Sequence, residues 1–232
     1  GDGASPARRE RVAVLMRLWL GPLMAWSGRP AADTTGAILA PGFPATLFTV
    51  TSLCRDYFYC DPLVVGEGDV GLGIKALIDR PEDVGSDRLV NAVSAQERYG
   101  GPLIIIDFGT ATTFDVIDAE GNYIGGVIAP GVNLSLEALH MAAAQLPRVG
   151  IQKTEKITGK GTVEAMQSGI YWGYVGLIEG LVKRLQDEHG VNLPVIATGG
   201  LAGLFSEATD CIEHSDPDLT LRGLFEIHKN NS

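Results

Sequence analysis

The chain has 232 residues, 45% of them hydrophobic and 20% charged, with a formal net charge of −10. That length allows one large domain or two lobes around a real core. The acidic balance excludes a broad nucleic-acid surface, which needs clustered Lys and Arg, and no apolar run approaches the roughly 18 residues that span a bilayer.

The chain opens Gly-Asp-Gly-Ala-Ser-Pro without Met, and Arg8, Arg9 and Arg11 precede an apolar stretch. No small-residue cleavage site follows, so residues 12–23 read as an amphipathic helix and not as a signal peptide. Residues 30–44, rich in Gly, Pro, Ala and Thr, read as an irregular connection. A helix is expected over 46–59, a short buried strand over 63–65 and a short apolar element over 74–78. Cys54, Cys60 and Cys211 are too few and too scattered for a disulfide framework or a zinc site, and read as reduced thiols of a cytoplasmic protein.

Residues 87–99 have helical spacing: Leu89, Val90, Ala92, Val93 and Ala95 share one side, with Asn91, Gln96 and Arg98 elsewhere. Strands are expected over 103–107, 112–117 and 123–128, joined in a meander with Gly121-Asn122 as the second turn. A helix follows over 133–145, then a polar, mobile loop over 151–160. Residues 162–189 read as one long helix ended by Gly190. Its Gly169, Gly173, Gly176 and Gly180 fall on one face and each costs up to about 1 kcal/mol of helix propensity, so close approach of another helix or a sheet is expected there. A strand over 194–197, a glycine turn at Thr198-Gly199-Gly200, and helices over 201–208 and 219–229 complete the chain.

Two aspartates carry the chemistry. Asp107 opens Asp107-Phe108-Gly109-Thr110-Ala111-Thr112-Thr113 directly after the apolar run Leu103 to Ile106. A buried strand ending in a carboxylate, a glycine and threonines brings turn N–H groups and hydroxyls to the mouth of a sheet, where phosphate and a cation are held. Gly109 lets backbone approach closely, and Thr110 and Thr112 offer hydroxyls. The alternative is a hairpin whose threonines only satisfy strand propensity. Gly199 and Gly200 form the second wall of a nucleotide cleft or an ordinary α/β turn. Asp87, in Gly85-Ser86-Asp87-Arg88, is either a helix cap or a base that takes a proton from a substrate hydroxyl, with Arg88 on an anionic substrate group. Thr162 is a cap or a substrate contact.

Five ordered segments, 85–93, 107–115, 125–131, 161–169 and 197–202, resemble the type III pantothenate kinase family over about residues 47–224. The resemblance implies an α/β, two-lobed actin-like ATPase fold of the ribonuclease H-like kind, with lobes 1–101 and 102–232. It implies ATP-dependent phosphorylation of pantothenate to 4′-phosphopantothenate, the first step of coenzyme A biosynthesis. By position, Asp87 matches the proton acceptor, and Gly85, Ser86, Arg88 and Thr162 match the pantothenate contacts. Asp107 matches the ligand of a monovalent cation, potassium or ammonium, and Thr110 an ATP contact. Mg2+ accompanies ATP, and the family is homodimeric with the glycine-faced helix near the dimer interface. The family opens with a strand and an Asp-x-Gly-Asn-Thr-type phosphate loop that this chain lacks, so an incomplete first lobe is expected before about residue 46. A Tyr usual near Ile78 is also replaced. These departures keep a second reading open, a catalytically impaired homologue that acts as a binding or regulatory protein.

Overall fold

The computed structural model describes residues 30–41, 44–68, 70–142 and 146–232, with single positions 24, 26 and 28 before them. The helix expected over 12–23 lies outside these residues. The elements in chain order are β1 (Ile38–Leu39), α1 (Pro44–Leu53), β2 (Leu63–Val64), α2 (Ser86–Tyr99), β3 (Leu103–Phe108), β4 (Ala111–Ile117) and β5 (Tyr123–Pro130). They continue with α3 (Val132–Ala142), α4 (Thr162–His189), β6 (Val195–Gly199), α5 (Ala202–Ser206), β7 (His214–Ser215) and α6 (Leu219–Asn230).

Five strands form one mixed sheet in the order β5-β4-β3-β6-β7, antiparallel from β5 to β3 and parallel from β3 to β7. β3 is central, and Leu103 to Ile106 are all buried because both sheet faces are covered. Side chains alternate across the sheet. Ile104, Ile106 and Phe108 join Phe114, Tyr171, Ile178 and Phe205 under α4 and α5. Leu103 and Ile105 join Leu89, Ala92, Ile117 and Leu219 under α2 and α6. Gly223 of α6 lies so close to α2 that a methyl group there would collide with the carbonyl oxygen of Val90. The buried carboxylate of Asp216 joins the far ends of these helices, accepting from the Tyr99 hydroxyl at 3.1 Å and pairing with Arg222.

The expected meander is present, with Gly121 at φ +86° in its turn and Asn122 N–H donating to Asp118 Oδ1 at 2.7 Å. Several expectations differ. The helix expected over 46–59 ends at Leu53, and one π-helical turn, Cys54–Phe58, follows before Tyr59 at φ 56°. Within 30–44 a two-residue strand, β1, pairs in parallel with β2; two residues carry too little periodicity to be read. The element over 74–78 is a single bridge from Ala76 to Tyr123. The loop over 151–160 is pinned to α4: the Ser168 hydroxyl donates to Ile157 O at 2.6 Å and Trp172 Nε1 donates to Thr154 Oγ1 at 3.1 Å. The glycine face of α4 has no neighbour among the described residues, since a methyl at Gly169, Gly173 or Gly176 would meet nothing within 4 Å. Also among the described residues, no helix is long and apolar enough to cross a membrane.

Candidate active site

The carboxyl ends of the parallel strands β3 and β6 lie side by side, the position where open α/β sheets bind ligands. Asp107 stands one residue from the end of β3. Its Oδ2 accepts from Asn91 Nδ2 at 3.0 Å. Asn91 is fully buried on α2, and its own Oδ1 accepts from the Thr220 hydroxyl of α6 at 2.7 Å. Burial raises the pKa of Asp107; the Asn91 donor opposes this, and the charges of Asp87 and Asp115 add to it. Asp87 projects from the first turn of α2, exposed, with Oδ1 accepting the Arg88 N–H at 3.0 Å. The cap position of α2 is Gly85, without a side-chain cap bond, and the Arg88 N–H also donates to Gly85 O at 3.0 Å, so Asp87 is only a second acceptor for that donor.

Sequence reasoning missed Asn91, which it set apart from the apolar side. It also missed Asp115, the fully buried carboxylate in the middle of β4. Arg88 Nε and Nη2 reach Asp115 Oδ1 at 2.7 and 2.6 Å, and the Thr113 hydroxyl donates to Asp115 Oδ2 at 3.1 Å. Tyr123 completes the group, with the Arg88 guanidinium 5.5 Å from its ring centre. Burial raises the pKa of Asp115, opposed by the charge and hydrogen bond of Arg88. Arg88 thus serves Asp115 first. The signal was present: an Asp inside an otherwise apolar strand needs a buried cationic partner.

On the opposite sheet face Phe108, Gly109, Thr110, Gly200 and Leu201 line a cleft of about 430 Å³, together with Asn133, Leu134 and Glu137 of α3. The two glycine motifs therefore meet as expected, and α3 supplies a third wall that no motif marked. Gly131 permits this, because a methyl there would collide with the Thr110 carbonyl. A hollow of about 240 Å³ adjoins the cleft through Asn133 and Glu137 and reaches His140 and Arg148. Thr112 departs from expectation: it is fully buried behind the cleft, its hydroxyl without a partner among the described residues. It pairs with Phe108 and shares that residue's face with Phe114, so it is packing on the cleft face, and not strand alternation, that encloses it.

Gly199, at φ +88°, is the seam between the two faces. A methyl there would fall 2.6 Å from Asp107 Oδ1 and 2.7 Å from the Phe108 carbonyl oxygen. One carboxylate oxygen and a carbonyl oxygen beside a bare Cα are hard donors suited to an oxygen-ligated cation. Among the described residues no three His, Cys, Asp or Glu side chains are grouped to hold a metal ion. Of the remaining expected contacts, the Ser86 hydroxyl donates to Pro41 O at 3.2 Å. Gly85 occupies the cap position of α2, where a methyl would crowd Asp87 Oδ1 at 2.5 Å. Gly161, not Thr162, occupies the cap position of α4, which leaves Thr162 exposed in the first turn. Thr162 makes no hydrogen bond to residues 85–88. Ile78 packs at the edge of the core beneath α2.

A family model of type III pantothenate kinase matches residues 5–184, so the match reaches well before residue 47, where the resemblance read from the motifs began. A protein named type III pantothenate kinase from Paramagnetospirillum magneticum is 59% identical over 232 residues, covering 100% of this chain and 89% of that protein. One of the same name from Rhodospirillum rubrum is 60% identical over 231 residues, covering 100% and 90%. Among solved structures, the ethanolamine utilization protein EutJ from Carboxydothermus hydrogenoformans superposes with a TM-score of 0.52 at 15% identity, over 97% of this chain and 76% of that one. A Baf family protein from Campylobacter jejuni gives 0.51 at 19% identity, over 73% of each. These two likenesses concern the fold alone.

Proposed function

The chain belongs to the type III pantothenate kinase family, and we propose that Asp87 is the base with which it phosphorylates pantothenate. The kinase uses ATP, and its reaction opens coenzyme A biosynthesis. The pantothenate hydroxyl oxygen forms a bond to the γ-phosphorus, the bridging P–O bond to the β-phosphate breaks, and ADP leaves. The hydroxyl proton passes to the Asp87 carboxylate. What supports this role is position: Asp87 is exposed at the start of α2 and within electrostatic reach of Asp107 at the strand end.

Gly109 and Thr110 receive the phosphates, with Gly200 as the facing wall and Gly199 as the seam beside Asp107. Thr112, being enclosed, supports the strand from behind. Asp107 is the ligand of a monovalent cation, potassium or ammonium, and Mg2+ accompanies the ATP phosphates. When bound, these ions offset charge on the phosphate oxygens. Gly85, Ser86, Arg88 and Thr162 hold pantothenate. We place the lobe boundary near residue 101 and the enzyme in the cytoplasm as a homodimer. The open glycine face of α4 supports the dimer, because close helix approach would offset the propensity that these glycines sacrifice. The test is pantothenate-dependent ADP formation by the purified chain with Mg2+ and K+, beside Asp87→Asn. Turnover lost in the variant bears the assignment out; equal turnover removes Asp87 from the mechanism. A folded dimer without turnover would instead favour a binding or regulatory role.

A further inference from the structure

We propose that Asn91 is a positioning residue for Asp107 and that Thr220 locks it, so that helix α6 sets the geometry of the strand-end carboxylate. The inference rests on the reading of Asp107 as a cation ligand. Asn91 is fully buried and lies one helical turn beyond Asp87 on α2. Both ends of its amide are engaged, Nδ2 with Asp107 Oδ2 at 3.0 Å and Oδ1 with Thr220 Oγ1 at 2.7 Å. Chemistry sets the amide's orientation. An ionised carboxylate only accepts, so the NH2 group must face Asp107; the amide oxygen then faces Thr220, whose hydroxyl donates. Among the described residues, no other side chain donates to Asp107. With Oδ2 held from the helix side, Oδ1 is directed to the bare Cα of Gly199 and the Phe108 carbonyl. The lock depends on how closely α6 crosses α2. Gly223 rests on the carbonyl of Val90, the residue before Asn91, and Thr220 is one turn from Gly223 on the same helix face.

The partners of a metal-ligating carboxylate orient it, and their loss typically costs about 10–100-fold in metal affinity. The experiment is a calorimetric titration of the full chain with thallium(I) nitrate, as a potassium surrogate, at ionic strength held by choline nitrate. Thermal unfolding of each variant is recorded beside it. Asp107→Asn tests the underlying reading and is expected to abolish binding; binding kept in that variant overturns the cation site and this proposal with it. With binding lost there, Asn91→Ala is expected to weaken thallium binding by about 10–100-fold, and wild-type affinity in Asn91→Ala overturns the positioning role alone. Should Asn91→Ala fail to fold, Thr220→Val against Thr220→Ser decides. The valine removes the donor and is expected to weaken binding, while the serine keeps the hydroxyl and wild-type affinity. Equal affinities in these two overturn the proposal. A purely structural role would lower the melting temperature of Thr220→Val and leave its thallium affinity unchanged.

Discussion

The two faces of the sheet at the end of β3 are built by different means. Toward α3 and α5 the cleft takes much of its wall from turns, at Gly109, Thr110 and Gly200, with Gly131 buried behind Thr110. Toward α2 and α6 the same strand end meets a group of buried and partly buried side chains in which Asp107, Asn91 and Thr220 form one branch and Asp115, Arg88, Thr113 and Tyr123 the other. A phosphate group can be held by N–H groups that any residue supplies, provided the backbone comes close. A carboxylate that must stay charged away from water needs specific partners at hydrogen-bond distance.

Substitutions on the two sides should separate accordingly. The largest effect is expected where the polar side reaches the surface: Asp87→Asn should lower kcat by about 10²–10⁴-fold with an unchanged urea midpoint. A shifted midpoint would mean that its helix-start contact dominates. Inside the polar group, Asp115→Ala leaves the half-enclosed Arg88 charge without its partner and should cost about 3–5 kcal/mol in urea unfolding; a loss below 1 kcal/mol would mean that water already serves Arg88. On the cleft side, Gly131→Ala drives a methyl into the Thr110 carbonyl and should cost about 1–3 kcal/mol while raising the KM for ATP more than that for pantothenate. An equal rise in both would place Gly131 outside the nucleotide wall.

Two smaller effects sharpen the contrast. Burial first, and then the negative charge of Asp115, raises the pKa of the Tyr123 phenol well above its ordinary value of 10.0. A group raised on folding adds stability that is complete below its unfolded value and is lost as pH rises through the folded one. Tyr123→Phe should therefore remove the part of the alkaline stability loss that begins near pH 10, and cost about 1 kcal/mol at neutral pH. An unchanged alkaline limb would assign that loss to other tyrosines. Thr112→Val, which removes a buried hydroxyl without a partner, should change stability by less than about 1 kcal/mol, or raise it, and leave the KM for ATP unaltered. A raised KM would return Thr112 to the cleft wall.

The glycine and threonine signatures were legible because they are local: Gly109, Thr110 and Gly200 sit in turns whose residue types are written in short stretches of chain, and those turns line one cleft. So was the long helix from Thr162 to His189, whose apolar period runs over many turns. β1 and β7, two residues each, were not legible, because they exist only through the strands beside them. Thr112 was misread for a related reason: pairing puts it on the cleft's face, opposite Phe108, but how far that face is covered depends on tertiary packing, and here Thr112 is fully enclosed.

The sequence by itself determined the family and marked the two glycine turns that meet at one cleft, because short-range backbone chemistry writes itself into residue type and spacing. Only the tertiary structure decided that Arg88 is bound to Asp115, 27 residues away, and that Asn91 joins Asp107 to Thr220, 129 residues away. Those bonds rely on the crossing of α2 and α6 over the central strand. The partner of a buried polar group is set by three-dimensional proximity, and no periodicity along the chain encodes it.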